Sequence, residues 1–500
     1  MWLLILACSE TPDRVVHGVG IKDGRIVSID PPADGIVVTP GLIDAHAHPA
    51  GVGRKLAQLD LSGTASLSEV QARVAEAAAE GEGWLAGRGW DQNDWSDHEG
   101  WPTAEQLDHA SRPVALRRVD GHALWVNTAG LEAARITPQS PDPAGGRILR
   151  DEAGNPTGVL IDAAVGLVEL PKPSVDEQRR RLVEALDHIA ASGLVGVHDM
   201  GVSDQTLALY EELAAAGELP IRIWAFLDPG AEAVTRLKSE GPWQVGHLRV
   251  AGVKMYADGA LGSRGALLSE DYSDEPGTVG IEINGTLDLA DMATDLLAVR
   301  AQLAVHAIGD RGIGNALDAF EQARAAQPAA NDVPLRIEHL QVVRPEDLAR
   351  MPGLNAVASM QPTHATSDGP WAESRLGPDR VEWSYAWRDV LDAGVVLAFG
   401  SDFPVEEVSP AFGLWSATTR ADTEGGEGWR TEHNLDFDEA VAAFSSGTYA
   451  ALGETGGALE PGSVADLCVW RVEQRFGRDW FEPIEVVVAG ETVFLDDRPR

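Results

Sequence analysis

The stretch Gly41-Leu42-Ile43-Asp44-Ala45-His46-Ala47-His48 ends an apolar run on two histidines. A strand repeats every two residues, so His46 and His48 project to the same side, where two imidazoles can share one metal ion. Alone the pair is weak evidence, because histidine also serves as a buried hydrogen-bonding group. Three further apolar runs carry metal-type ligands near their ends: Gly252-Val253-Lys254-Met255-Tyr256-Ala257-Asp258, Leu303-Ala304-Val305-His306 and Val396-Leu397-Ala398-Phe399-Gly400-Ser401-Asp402. Arg336-Ile337-Glu338-His339 is a shorter fifth. Lys254 is the odd member, since an ammonium repels cations. It is one of only five lysines against 34 arginines, and arginine cannot lose its proton near neutrality. A lysine here could pair with Asp258 or another acid, or react as a free amine toward a carbonyl.

The elements that must position these groups alternate along the chain. Strand-length apolar runs are separated by helical stretches such as Asp176 to Ala191, Asp204 to Ala216 and Gly314 to Ala326, the signature of parallel α/β architecture. Eight runs fit barrel strands: Leu42 to His46, Leu194 to His198, Ile221 to Leu227, Ala251 to Tyr256, Leu303 to His306, Leu335 to His339, Asn355 to Met360 and Val395 to Gly400. The expected fold is a (β/α)8 barrel over 41–49 and 193–455, whose strands deliver functional groups at their carboxyl ends. Some 145 residues separate the first two strands, too many for an ordinary connection, so 50–192 is expected to be a folded insertion. Strand-like patterns also occupy Val15 to Val38, Gly462 to Trp470 and Ile484 to Val493.

Composition narrows the partners. Asp and Glu total 78 against 39 Lys and Arg, and a net charge of -39 repels phosphate backbones and anionic membranes, so nucleic-acid binding is not expected. The two cysteines, Cys8 and Cys468, are too few for a disulfide framework or a thiolate zinc site. Ile5-Leu6-Ala7-Cys8 looks like a lipoprotein cleavage box that would anchor the chain at Cys8. The apolar stretch is short and lacks a preceding basic residue, so 1–12 reads equally as a first strand, leaving envelope and cytoplasm both open. No run approaches the roughly 18 apolar residues of a membrane span.

The order His-x-His, strand Lys, strand His, strand His, strand Asp resembles the ligand order of the amidohydrolase superfamily. Val253-Lys254-Met255-Tyr256-Ala257-Asp258-Gly259-Ala260-Leu261-Gly262-Ser263-Arg264, His306-Ala307-Ile308-Gly309-Asp310-Arg311, Gln361-Pro362-Thr363-His364-Ala365-Thr366 and Gly400-Ser401-Asp402-Phe403-Pro404-Val405 are similar to the branch that includes N-substituted formamide deformylases, from about Asp23 to Asp497. The resemblance implies a small β-sandwich built from both termini, 13–40 and 456–500, beside the barrel. It implies two divalent metals, zinc being expected from nitrogen and oxygen ligands. His46, His48 and Asp402 would hold the more buried ion, and His306 and His339 the more exposed one. Lys254, as a carbamate formed with carbon dioxide, would bridge them. A bridging hydroxide would attack the carbonyl of a small amide, with Asp402 as proton shuttle. The implied reaction is hydrolysis of a non-peptide carbon–nitrogen bond, and the family often forms homo-oligomers.

Asp258, Arg264, Asp310, Gln361 and His364 sit beside the expected strand ends, where they would orient ligands or contact substrate; Arg264 and Asp310 could instead pair with neighbours. His122 would either reach the pocket from the insertion or hydrogen-bond within it, and Trp84, Trp90, Trp95 and Trp101 would either wall an apolar pocket or pack the insertion. His198-Asp199 would be structural or support the site. Two other classes stay in view: a Schiff-base lyase using unmodified Lys254, and a non-catalytic small-molecule-binding scaffold.

Overall fold

In the computed structural model, which describes residues 11–498 apart from 80, 82, 423 and 497, eight apolar runs pair in parallel. They are barrel strands 1 to 8: Leu42–Ala47, Leu194–Val202, Arg222–Leu227, Leu248–Tyr256, Gln302–Ala307, Leu335–His339, Ala356–Met360 and Leu397–Phe399. Each strand lies beside the next in sequence order. Strands 8 and 1 meet through Asp402 N–H donating to His46 O (2.7 Å) and His48 N–H to Phe403 O (2.9 Å). A parallel sheet is covered on both faces, which is why its strands read as nearly unbroken apolar runs. Strand 2 extends through Val202, and strand 8 is only Leu397–Phe399 because the chain turns early toward Asp402.

The helices bury one stripe against this sheet. Asp204–Ala216 starts where Ser203 Oγ accepts from Thr206 N–H and stops at Gly217, whose φ of 72° suits glycine. Leu207, Tyr210 and Leu213 form its buried side. Asp310–Ala326 begins one turn earlier than the apolar pattern alone suggests, because Asp310 itself is buried in the first turn.

Both termini build a sandwich. Arg14–Val16, Val19–Lys22 and Arg25–Ile29 form one sheet, while Ile36–Pro40 joins Leu467–Arg475, Arg478–Val488 and Glu491–Leu495 in the other. Val16, Val19, Ile21 and Ile26 pack against Leu467, Val469, Ile484 and Val487 between them. Arg222, opening barrel strand 3, donates to both oxygens of Asp466 (2.7 and 3.0 Å), so one ion pair ties barrel to sandwich. The leader reading at Cys8 lies outside the described residues.

The chain divides into two compact units, one of residues up to Gly51 with those from Ala185 onward, the other Val52–Glu184. The second carries its own six-stranded sheet and apolar core. Trp90 meets Trp125 edge to face and both pack against a tilted Trp95 inside it, Trp101 lies against Trp90, and Trp84 covers a second cluster, so the tryptophans pack the insertion. Among the described residues no helix is long and apolar enough to cross a membrane.

Candidate metal centre

The carboxyl ends of strands 1, 4, 5, 6 and 8 bring the expected residues to one place. His46, His48 and Asp402 each offer a ligand atom within 4.8 Å of the others. Asp402 Oδ1 lies 3.0 Å from His48 Nε2 and 3.7 Å from His46 Nε2. The His339 ring centroid lies 4.7 Å from that of His46 and 4.4 Å from that of His306. Tyr256, beside His306 in the sheet register, packs its ring 5.6 Å from His306 and 4.2 Å from Lys254 Nζ.

Neighbouring polar groups fix how these side chains are presented. His46 Nδ1–H donates to Glu338 Oε2 (2.7 Å) and His339 Nδ1–H to Gln361 Oε1 (2.9 Å), which leaves each Nε2 with its lone pair free. Asp44 accepts from His46 N–H (3.0 Å) and from Ser401 Oγ–H (2.7 Å) and N–H (3.0 Å), joining the ends of strands 1 and 8 below the histidines. Two members sit in left-handed backbone, His339 at φ 75° and Asp402 at φ 60°. Such conformations in residues other than glycine concentrate where function over-determines the chain.

Electrostatics favour ligating protonation states. Burial pushes His46 down to about 4 and His306 to about 3, so both are neutral imidazoles at pH 7. Burial opposes the Asp402 charge, yet His46 and the His48 hydrogen bond hold its carboxyl well below the usual range. Burial lowers Lys254 to about 8, and among the described residues its amine has no hydrogen-bond or ion-pair partner, only the Tyr256 ring. His46, His306 and His339 are thus presented as neutral imidazoles, while the Asp402 hydrogen bond raises His48 against its burial; imidazoles with a carboxylate suit a divalent cation.

A profile of the amidohydrolase family matches residues 32–494. The chain belongs to that family. LONG AFTER FAR-RED 3 of Arabidopsis thaliana is 33% identical over 467 residues, spanning 87% of this chain and 78% of that protein. N-substituted formamide deformylase of Arthrobacter pascens is 28% identical over 481 residues, spanning 91% and 86% respectively. Among solved structures, an uncharacterized metal-dependent hydrolase from Pyrococcus horikoshii OT3 superposes with a TM-score of 0.73 at 27% identity, covering 92% of this chain and 95% of that one.

In this amidohydrolase the remaining candidates divide. Gln361 touches His339, and His364 stacks on it at 6.0 Å and 15°, with Nδ1 3.4 Å from Gln341 Nε2. Asp258 accepts from the backbone N–H groups of Leu267, Ile308 and Gly309 (2.8, 3.0 and 2.8 Å), fastening the loop after strand 4 to the end of strand 5. Its Oδ1 lies 3.7 Å from His306 Nε2, and burial raises its carboxyl to about 7. Arg264 pairs with Asp274 and Glu275, and Asp310 accepts from Ser269, so both are held by neighbours. His122 Nδ1–H donates to Asp162 Oδ1 at 2.8 Å within the insertion, and its side chain is 74% exposed. His198 accepts from Arg336 Nη1 (2.7 Å) and supports the barrel interior. Sequence reasoning missed Glu338, Arg336, Asp44 and Ser401 as orienting groups. The available signal was their adjacency: Glu338 directly precedes His339, and Asp44 precedes His46 by one strand repeat.

Proposed function

We propose that this protein is a metal-dependent hydrolase of carbon–nitrogen bonds in small non-peptide amides, with N-substituted formamides as the first substrates to try. The carrying observation is the convergence of His46, His48 and Asp402 within 4.8 Å, together with a buried Lys254 whose amine has no hydrogen-bond or ion-pair partner among the described residues. The formamide class is suggested by the deformylase relative. His46, His48 and Asp402 would hold one divalent ion, and His306 and His339 a second. The unprotonated fraction of the Lys254 amine would add to carbon dioxide and lose one proton, and the resulting carbamate anion would hold metal together with the histidines. A bound divalent ion supplies Lewis acidity toward a carbonyl oxygen and makes nearby water more acidic. Asp402, kept ionised by the histidines around it, takes the proton from the attacking water and returns it to the departing nitrogen.

Lowered basicity at Lys254 equally suits a Schiff-base lyase. Borohydride trapping with a carbonyl substrate separates the two readings. The deciding measurement is metal content per chain, by plasma mass spectrometry on protein purified with bicarbonate and without chelators. Close to two transition metals per chain, with turnover on a formamide panel, carries the hydrolase. Folded protein that takes up no metal removes it.

A further inference from the structure

We infer that Glu338, oriented by Arg336, is the positioning residue that decides which nitrogen of His46 is free to bind a metal. The inference rests on the metal-centre reading of His46 but makes its own claim about a proton. Glu338 is fully buried and spans two partners. Its Oε1 accepts from Arg336 Nε–H at 2.8 Å, and its Oε2 faces His46 Nδ1 at 2.7 Å. Arg336 has donors only, and a carboxylate has acceptors only. The proton between Glu338 and His46 therefore sits on Nδ1, and Nε2, facing Asp402, keeps its lone pair. Arg336 is itself held in place: Nη1 donates to His198 Nδ1, and Nη2 to Ala45 O (2.8 Å) and Ser359 Oγ (3.2 Å).

His339 obtains the same tautomer by a different device. Its Nδ1–H donates to a neutral amide oxygen, Gln361 Oε1, while Gln361 Nε2 donates to the carbonyl of Ser359 (3.4 Å). An acceptor-only carbonyl beside Gln361 turns its amide so that oxygen meets histidine. Beside residue 338 the neighbour is a donor, so a glutamine there would be turned the opposite way. Its oxygen would meet Arg336 Nε, and its NH2 would point at His46 Nδ1. His46 would then have to carry its proton on Nε2, with no lone pair left for a metal. The longer contact of Arg336 Nη2 to Oε2, 3.4 Å against 2.8 Å for Nε to Oε1, favours this orientation.

Glu338→Gln is therefore a tautomer switch, and removing Arg336 as well frees the amide to turn back. Zinc affinity, read by competition with a chromophoric chelator, should fall at least about 10-fold in E338Q and return to within about 3-fold of wild type in R336M/E338Q. A purely structural role for the pair predicts instead that the double variant binds no better than E338Q. Should E338Q fail to fold, with Arg336 buried and uncompensated, R336M/E338Q is compared with R336M/E338M. These two carry no charge at either position and differ in the side-chain amide, whose oxygen can accept from Nδ1–H. The glutamine form should bind at least about 10-fold tighter, and equal affinity overturns the inference. Long-range 15N NMR of histidine-labelled, metal-free protein, with His46→Asn for assignment, reads the proton directly. Wild type should show Nδ1–H, and a wild-type Nε2–H overturns the inference. If wild type binds no zinc, the proposed function fails, while the NMR result still decides the proton's place.

Discussion

Replacing Lys254 by methionine should make the metal-free protein more stable while removing its capacity to form the carbamate. Lys254 is 1% exposed, and burial lowers its amine from the ordinary 10.5 to about 8. At about 1.4 kcal/mol per pH unit, holding the ammonium in the fold costs about 3 kcal/mol at pH 7. Methionine matches the length of the side chain without the charge. Because the folded value lies below the unfolded one, the unfolded chain binds more protons between pH 8 and 10.5, and wild-type stability rises across that window. The advantage of K254M should therefore be about 3 kcal/mol at pH 7 and disappear above pH 10.5. Urea unfolding of chelator-treated protein in carbon-dioxide-free buffer, at pH 7 and again near pH 10.5, reads both ends. A methionine variant that is less stable at pH 7, or a gap that does not change with pH, would refute the account of Lys254 as a buried amine without an ion-pair partner among the described residues.

Asp402→Asn should retain metal and fold but lose about 10²- to 10⁴-fold in kcat, because an amide cannot shuttle the proton; near-normal turnover would assign the base elsewhere. His306→Ala should lower metal content by about one equivalent per chain and abolish hydrolysis, with circular dichroism unchanged. Dialysis against a chelator should remove turnover, and zinc with bicarbonate should restore it where zinc in carbon-dioxide-free buffer does not. Cys468 is fully buried, its thiol pushed up to about 12 by burial, with Sγ–H donating to Gly193 O at 3.0 Å. Iodoacetamide at pH 8 should leave it unmodified in native protein and alkylate it in urea, as peptide mass spectrometry will show.

Much of the barrel was legible because each strand is covered on both faces and so reads as an apolar run, and because the candidate ligands stand at the ends of those runs. The helix Asp204–Ala216 was legible to its boundaries, since Ser203 is a local start signal and Gly217 a local stop signal. The insertion was legible only as a length. Its strands are short and partly antiparallel, and its core is organised around tryptophans whose partners are distant in sequence. Among the candidate residues, sequence gave no means of separating Gln361, which touches His339, from Arg264, which pairs with Asp274. Both flank strand ends, and only the folded loops decide which way each side chain turns.

The least legible feature is also the one that makes the centre possible. In a regular strand alternate residues face the barrel interior, so Arg336 and Glu338 inside would put His339 outside. All three nevertheless meet interior partners: Arg336 reaches Ala45 O, Glu338 reaches His46, and the His339 ring packs on His46 and His306. The left-handed backbone at His339 breaks the alternation and brings consecutive side chains to one side. Asp402 does the same beyond strand 8, where its N–H still donates to His46 O at 2.7 Å. Each such residue costs about 1–3 kcal/mol. The Glu338, Gln361 and Asp44 hydrogen bonds over-determine the arrangement and offset that strain. An orienting carboxylate and a candidate ligand at adjacent positions of one strand thus require a departure from strand geometry that periodicity cannot announce.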